Sequence, residues 1–292
     1  MKIIFIFIDG FGLGERNESK NPVTAAKTPT IDYILSHFTV HATDTTMGVK
    51  GLPQSATGQT AIFTGVNAAK VVGKHVSGQP GETLKKIIGE DNIFKILQNR
   101  GLKVTNSNVY RQEYLDKMLD PTDRHHKPSV TSIMTQAAGM KFRSVEDYEK
   151  GLGIYHDITG QILLESGYLV ECITPKDAAE RLYRISREFD FTLYEHFLTD
   201  IVGHTMDMGA AIKEIELLDI FLGELLKLVN LNEDYILITS DHGNIEDISV
   251  KTHTFNKVPT IILGKMSEGL TLQIESLVDI MPAIIKIFES NL

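Results

Sequence analysis

Asp9, Asp200, His204, Asp241, His242 and His253 share a placement: each falls at or just beyond the end of an apolar run. Carboxylates and imidazoles gathered at one edge of a buried sheet are costly as bare charges, but they suit divalent cations. Oxygen and nitrogen donors without thiolate favour manganese or zinc over softer metals. Ligands drawn from this many separate segments exceed the needs of one open catalytic ion, so two divalent ions are expected. Each residue also has a bland use. Asp9 before Gly10 can cap a turn, Asp200 and His204 can be a loop pair, and His253 alone is a weak signal. Asp241-His242-Gly243 directly behind a buried run has little packing use. Taken together, the bland account needs too many coincidences.

A nucleophile is offered by Pro53-Gln54-Ser55-Ala56-Thr57-Gly58-Gln59-Thr60, where small residues lead into a helix-like run. A hydroxyl there would sit at a helix N-terminus, whose dipole and adjacent metals favour an alkoxide and an incoming phosphate. A plain N-cap is the alternative, and composition does not rank Ser55, Thr57 and Thr60. Lys74, His75, Arg111 and the Arg124–Lys127 cluster are candidate contacts for an anionic substrate, although basic residues of this kind are usually only solvated. Gly10-Phe11-Gly12-Leu13-Gly14 lacks the spacing of a dinucleotide-binding loop, and no Walker-type Gly-Lys-Ser/Thr occurs.

These residues need a scaffold that brings strand ends together. Ile3 to Ile8 is a continuous β-branched and aromatic run, the mark of a strand buried on both faces. Tyr235 to Ser240, Phe191 to Leu198 and the shorter Val258 to Leu263 read the same way, and Leu102 to Thr105 adds another strand. Apolar residues at helical spacing mark helices at Met208 to Val229, Asp177 to Arg187, Ile93 to Asn99 and Ser276 to Phe288, with Pro282 in an early turn of the last. The alternation predicts an α/β fold: a mostly parallel sheet with helices on both faces, with ligands at the carboxyl edge. From about Arg111 to about Glu171 the chain turns polar, with Arg124-His125-His126-Lys127 and several glycines. This predicts a core of residues 1–110 and 172–292 with a small inserted cap at 111–171.

Bulk composition narrows the function. The chain has 292 residues and a net charge of −9, which would repel nucleic acid. The single cysteine, Cys172, forms no internal disulfide and fits a reducing cytoplasm. The first apolar run is short, ends in a carboxylate, and is followed by no small-residue cleavage site, so it does not read as a signal peptide. No stretch approaches a membrane span. A cytoplasmic protein with no nucleic-acid or membrane partner is expected.

In blocks, the sequence resembles the alkaline phosphatase superfamily, and within it cofactor-independent phosphoglycerate mutase and phosphopentomutase. Asp9-Gly10-Phe11-Gly12 is similar to the mutases' opening Asp-Gly-Trp-Gly, and Asn21 to Asp32 to their next block. Asp200-Ile201-Val202-Gly203-His204, Ser240-Asp241-His242-Gly243-Asn244 and His253-Thr254-Phe255-Asn256-Lys257-Val258-Pro259 resemble the three metal-binding blocks. Ser55-Ala56-Thr57-Gly58-Gln59 fits the mutases' Ser/Thr-x-x-Gly-His frame, with glutamine in place of histidine. Thr64-Gly65 stands where phosphatases of the superfamily keep a Thr-Gly after the nucleophile. Both registers select Ser55.

The resemblance implies one metal held by Asp200, His204 and His253, and another held by Asp9, Asp241, His242 and the Ser55 oxygen. It implies a phosphoryl-transfer enzyme working through a serine phosphoenzyme on a small phosphorylated substrate. The favoured expectation is a two-metal phosphoesterase. A phosphomutase is the alternative, although the long insertion carrying the glycerate mutase's sugar-acid contacts is missing. A metal-binding protein without turnover is the third reading, and the intact ligand positions speak against it.

Overall fold

Ile3–Ile8 leaves no polar face, so its only favourable place is between two apolar layers, and all of its residues are buried. In the computed structural model, which describes residues 1–119, 128–266 and 269–291, this strand (β1) is central to a six-stranded sheet. The other strands are β2 (Val40–Thr43), β3 (Val104–Asn106), β4 (Phe191–His196), β5 (Tyr235–Thr239) and β6 (Val258–Leu263), in the order β2-β6-β5-β1-β4-β3. β1 runs parallel to β4 and β5, and β3 parallel to β4; β6 is antiparallel to β5, and β2 to β6. The register pairs Ile8 with His196 and Phe7 with Thr239, so the chain leaves β1, β4 and β5 at one edge. Because β6 is reversed, its start lies at that same edge, which brings in His253 from ahead of the strand.

Alternation of side chains along β1 divides the core. Phe5 and Phe7 face helices Ser55–Thr64, Ile93–Asn99, Val130–Ala137 and Ile280–Glu289. Ile4, Ile6 and Ile8 face helices Pro29–His37, Pro175–Ser186 and Met208–Leu228. Fully burying each such side chain contributes roughly 1.5–3 kcal/mol. Phe63 meets Phe5 and Phe7 edge-on, with ring centroids 5.8 and 5.6 Å apart, which fixes the helix carrying Ser55 to the central strand. That helix can approach the sheet edge because Gly58 has no side chain: a Cβ there would lie 2.9 Å from the Asp241 carbonyl oxygen.

The structure departs from the sequence expectation in three places. β4 stops at His196, and a short helix, Leu198–Gly203, follows instead of more strand. β2 forms an antiparallel edge that the sequence pattern did not indicate. The polar segment expected as a cap is only partly separate from the core. Val109, Tyr148, Tyr155, Leu163 and Val170 make a small cluster of their own, but Val130, Ile133 and Met134 belong to the main core. The helix Val130–Ala137 hides from a hydrophobicity reading because Thr131, Ser132 and Thr135 are also buried. Hydrogen bonding makes that burial tolerable: Thr135 Oγ1 donates to the Thr131 carbonyl at 2.7 Å and accepts from Asn106 Nδ2 at 3.2 Å. Among the described residues, no helix is long and apolar enough to cross a membrane.

Candidate functional site

Loops leaving β1, β4 and β5 meet the loop entering β6 at the carboxyl edge, and backbone hydrogen bonds lock them together. Gly10 N–H donates to Asp241 Oδ1 at 3.3 Å, and Phe11 N–H to Ser240 Oγ at 2.9 Å. Glu246, buried beneath them, accepts from Gly12 N–H (2.9 Å), Asn244 N–H (2.7 Å), Thr254 Oγ1 (2.5 Å) and Asn256 Nδ2 (3.1 Å). One carboxylate thus ties the glycine-rich segment to both histidine-bearing loops. Sequence reasoning missed Glu246, which lies two residues beyond the Ser240–Asn244 block and carries no local signal. Asn244 Nδ2 in turn donates to Asp200 Oδ1 at 2.6 Å.

Asp200 and His204 lie one turn apart, with His204 Nε2 3.3 Å from Asp200 Oδ2. His253 Nε2 lies 3.5 Å from Asp200 Oδ1 and 3.2 Å from His204 Nε2. His204 Nδ1 faces the Lys251 carbonyl at 2.8 Å, and His253 Nδ1 faces the Pro53 carbonyl at 2.8 Å. A carbonyl only accepts, so each Nδ1 carries a proton, and Nε2 is the atom of each ring that faces the other ring and Asp200. Burial and the nearby His242 hold His253 down at about 4, which keeps it neutral. Two ring nitrogens and a carboxylate converging this closely fit a bound cation.

Next to this group, His242 stacks on His253 with ring centroids 3.7 Å apart. His242 Nε2 lies 3.2 Å from Asp9 Oδ1 and 3.6 Å from Asp241 Oδ2. Asp9 Oδ1 is buried and has no hydrogen-bond partner of adequate geometry, an orphan that a cation would satisfy. Burial and mutual repulsion push the Asp9 carboxyl well above the usual carboxylate range. Burial alone would lower His242, but Asp241 and Asp9 together raise it to about 10. Without a metal, a proton on His242 therefore holds these carboxylates together. The oxygen and nitrogen donors of Asp9, Asp200 and His242 lie within 4.8 Å of one another, as do those of Asp200, His204 and His253, so Asp200 faces both groups.

Ser55 opens its helix with Oγ 2.9 Å from His242 Nε2. The other two hydroxyls are committed to backbone: Thr57 Oγ1 donates to the Gln54 carbonyl at 3.1 Å and Thr60 Oγ1 to the Ala56 carbonyl at 2.6 Å. One turn beyond Ser55, Gln59 Nε2 donates to Asp9 Oδ2 at 3.0 Å and to Asp241 Oδ2 at 3.1 Å. A cavity of about 370 Å³ adjoins Ser55, Asp9 and Asp200, and Arg111 is on its wall. Lys74 and His75 are not in its lining; Lys74 is exposed and His75 Nε2 turns to the Val49 carbonyl. Arg124–Lys127 lie outside the described residues.

Asp and His donors converging at the carboxyl edge of an open α/β sheet make a candidate metal centre. The chain belongs to the metalloenzyme superfamily, whose family model matches residues 1–292. Its sequence is similar to the 2,3-bisphosphoglycerate-independent phosphoglycerate mutase of Desulforudis audaxviator, 35% identical over 104 residues, covering 34% of this chain and 20% of the mutase. The enzyme of the same name from Clostridioides difficile is 39% identical over 93 residues, 29% of this chain and 18% of the mutase. The matched segments thus span about a fifth of these relatives' length. The fold is similar to the PH0037 protein from Pyrococcus horikoshii (TM-score 0.63, 16% identity, 99% of this chain and 97% of that one). It is also similar to the alkaline phosphatase of the Antarctic bacterium TAB5 (TM-score 0.55, 15% identity, 99% and 97%).

Proposed function

We propose that the chain is a metal-dependent phosphoesterase that works through a phosphoserine on Ser55. The observation that carries this reading is Ser55 Oγ, at the start of a helix and 2.9 Å from His242 Nε2 inside the Asp/His cluster. Asp200, His204 and His253 would hold one divalent ion, and Asp9, Asp241, His242 and Ser55 the other. Donors of oxygen and nitrogen suit manganese or zinc. When bound, the two ions supply positive charge that lowers the Ser55 pKa and offsets charge on the phosphoryl oxygens.

Gln54 gives the first turn no side-chain cap, which leaves its N–H groups for a phosphate. Ser55 Oγ forms the bond to phosphorus as the ester oxygen departs with its electron pair and takes up a proton. Water then displaces the serine from phosphorus, releasing inorganic phosphate and restoring the hydroxyl. Exposed Cys172 fits a reducing cytoplasm. The similarity to mutases favours a second reading, in which phosphoserine returns the group to another oxygen of the same substrate. Assaying metal-loaded and chelated protein against phosphate mono- and diesters tests the proposal: turnover that survives complete chelation would contradict it.

A further inference from the structure

Beyond Ser55, five aromatic rings line the cavity. Tyr110 and Tyr114 stack with centroids 5.5 Å apart, and His156 stacks on Phe197 at 4.0 Å; all four line the cavity, as does Tyr155. The stacked tyrosine hydroxyls are already engaged within the protein. Tyr110 Oη accepts from Asn106 Nδ2 at 3.0 Å, while Tyr114 Oη accepts from Ser129 N–H at 3.1 Å and contacts Ser132 Oγ at 2.8 Å. What these residues offer a ligand is ring surface. Burial holds His156 down at about 3, so it too is an uncharged ring.

We propose that the alcohol portion of the substrate is a nucleoside-sized group bearing a flat ring, bound against these aromatic faces while its phosphate sits at Ser55. The inference rests on the phosphoesterase reading and adds a substrate class to it. Size supports it, since a cavity of about 370 Å³ falls in the range that takes drug-sized ligands. Charge supports it as well. Among the described lining residues Arg111 is the only cation, whereas Glu195 is an acid outside the proposed metal ligands. A carboxylate on the substrate, as in a phosphorylated sugar acid, would have only Arg111 among the described lining residues to pair with.

Calorimetric titration of the metal-loaded protein with adenosine 5′-monophosphate and glycerol 3-phosphate tests the subsite independently of turnover. The ring-bearing ester is expected to bind at least about tenfold more tightly, in line with the worth of one base stacked on an aromatic side chain. Tyr114→Leu should shrink that ratio severalfold, and Tyr114→Phe, which keeps the ring, should preserve it. Equal affinities in the wild type, or an unchanged ratio in Tyr114→Leu, would overturn the proposal. Ring-selective binding with hydrolysis of neither ester would uphold the subsite and count against the phosphoesterase.

Discussion

The Ser55 hydroxyl oxygen and His242 Nε2 lie 2.9 Å apart, although 187 positions separate them in the chain. If Ser55 is the nucleophile, Ser55→Ala should lower turnover by at least about a thousandfold. Metal content by elemental analysis should stay largely intact, because the Asp and His donors remain. Thr57→Ala and Thr60→Ala should be much milder, since both hydroxyls serve the helix backbone. A phosphoenzyme trapped on Thr60 would contradict the assignment.

Gln59 holds two like-charged neighbours from a single amide nitrogen, through which it sets the orientation of both carboxylates. Gln59→Leu should weaken metal binding at the Asp9/Asp241 side by about 10- to 100-fold, the usual effect of losing a group that orients a ligand. Calorimetric titration with manganese would show this directly; wild-type affinity in the variant would remove Gln59 from the account.

Metal uptake should depend on pH in one direction. His242 must lose its proton to coordinate, and the carboxylates around it hold that proton up to about 10. Apparent affinity should therefore rise by up to about tenfold per unit between pH 6 and 9, with about one proton released, as titrations in buffers of different ionisation enthalpy would detect. A metal-soaked crystal should show two ions roughly 4 Å apart; His204 or His242 turned away from both would contradict the ligand assignment.

Glu195 adds a stability signature. Burial raises its carboxyl from 4.5 to about 7, with the Thr131 hydroxyl, 2.5 Å away, opposing the shift. The folded chain then holds this proton more tightly than the unfolded chain. Its contribution is full below pH 4.5, falls as pH rises to about 7, and is flat above that. The loss is about 3 kcal/mol at 1.36 kcal/mol per unit. In metal-free protein, Glu195→Gln should flatten this part of the denaturation profile relative to wild type; an unchanged slope would mean that Glu195 titrates normally.

The sheet and the Asp/His positions were legible because they are local signals. A continuous apolar run such as Ile3–Ile8 declares a strand covered on both faces, and a carboxylate or imidazole directly behind it is placed by the strand itself. Glu246 and the role of Gln59 were not legible, because their partners lie far away in sequence and no local pattern announces a long-range hydrogen bond. The helix Val130–Ala137 was obscured by its own threonines and serine, whose polarity is absorbed by side-chain and backbone partners inside the core. The reversal of β6 was hidden too, since a buried strand reads alike in either direction.

Accounting for phosphate tests the central claim most directly. With the metal-loaded enzyme and an active phosphomonoester, inorganic phosphate should appear at the rate at which substrate disappears. Conversion of the substrate to a positional isomer with no phosphate released would contradict the phosphoesterase account and establish a mutase in its place.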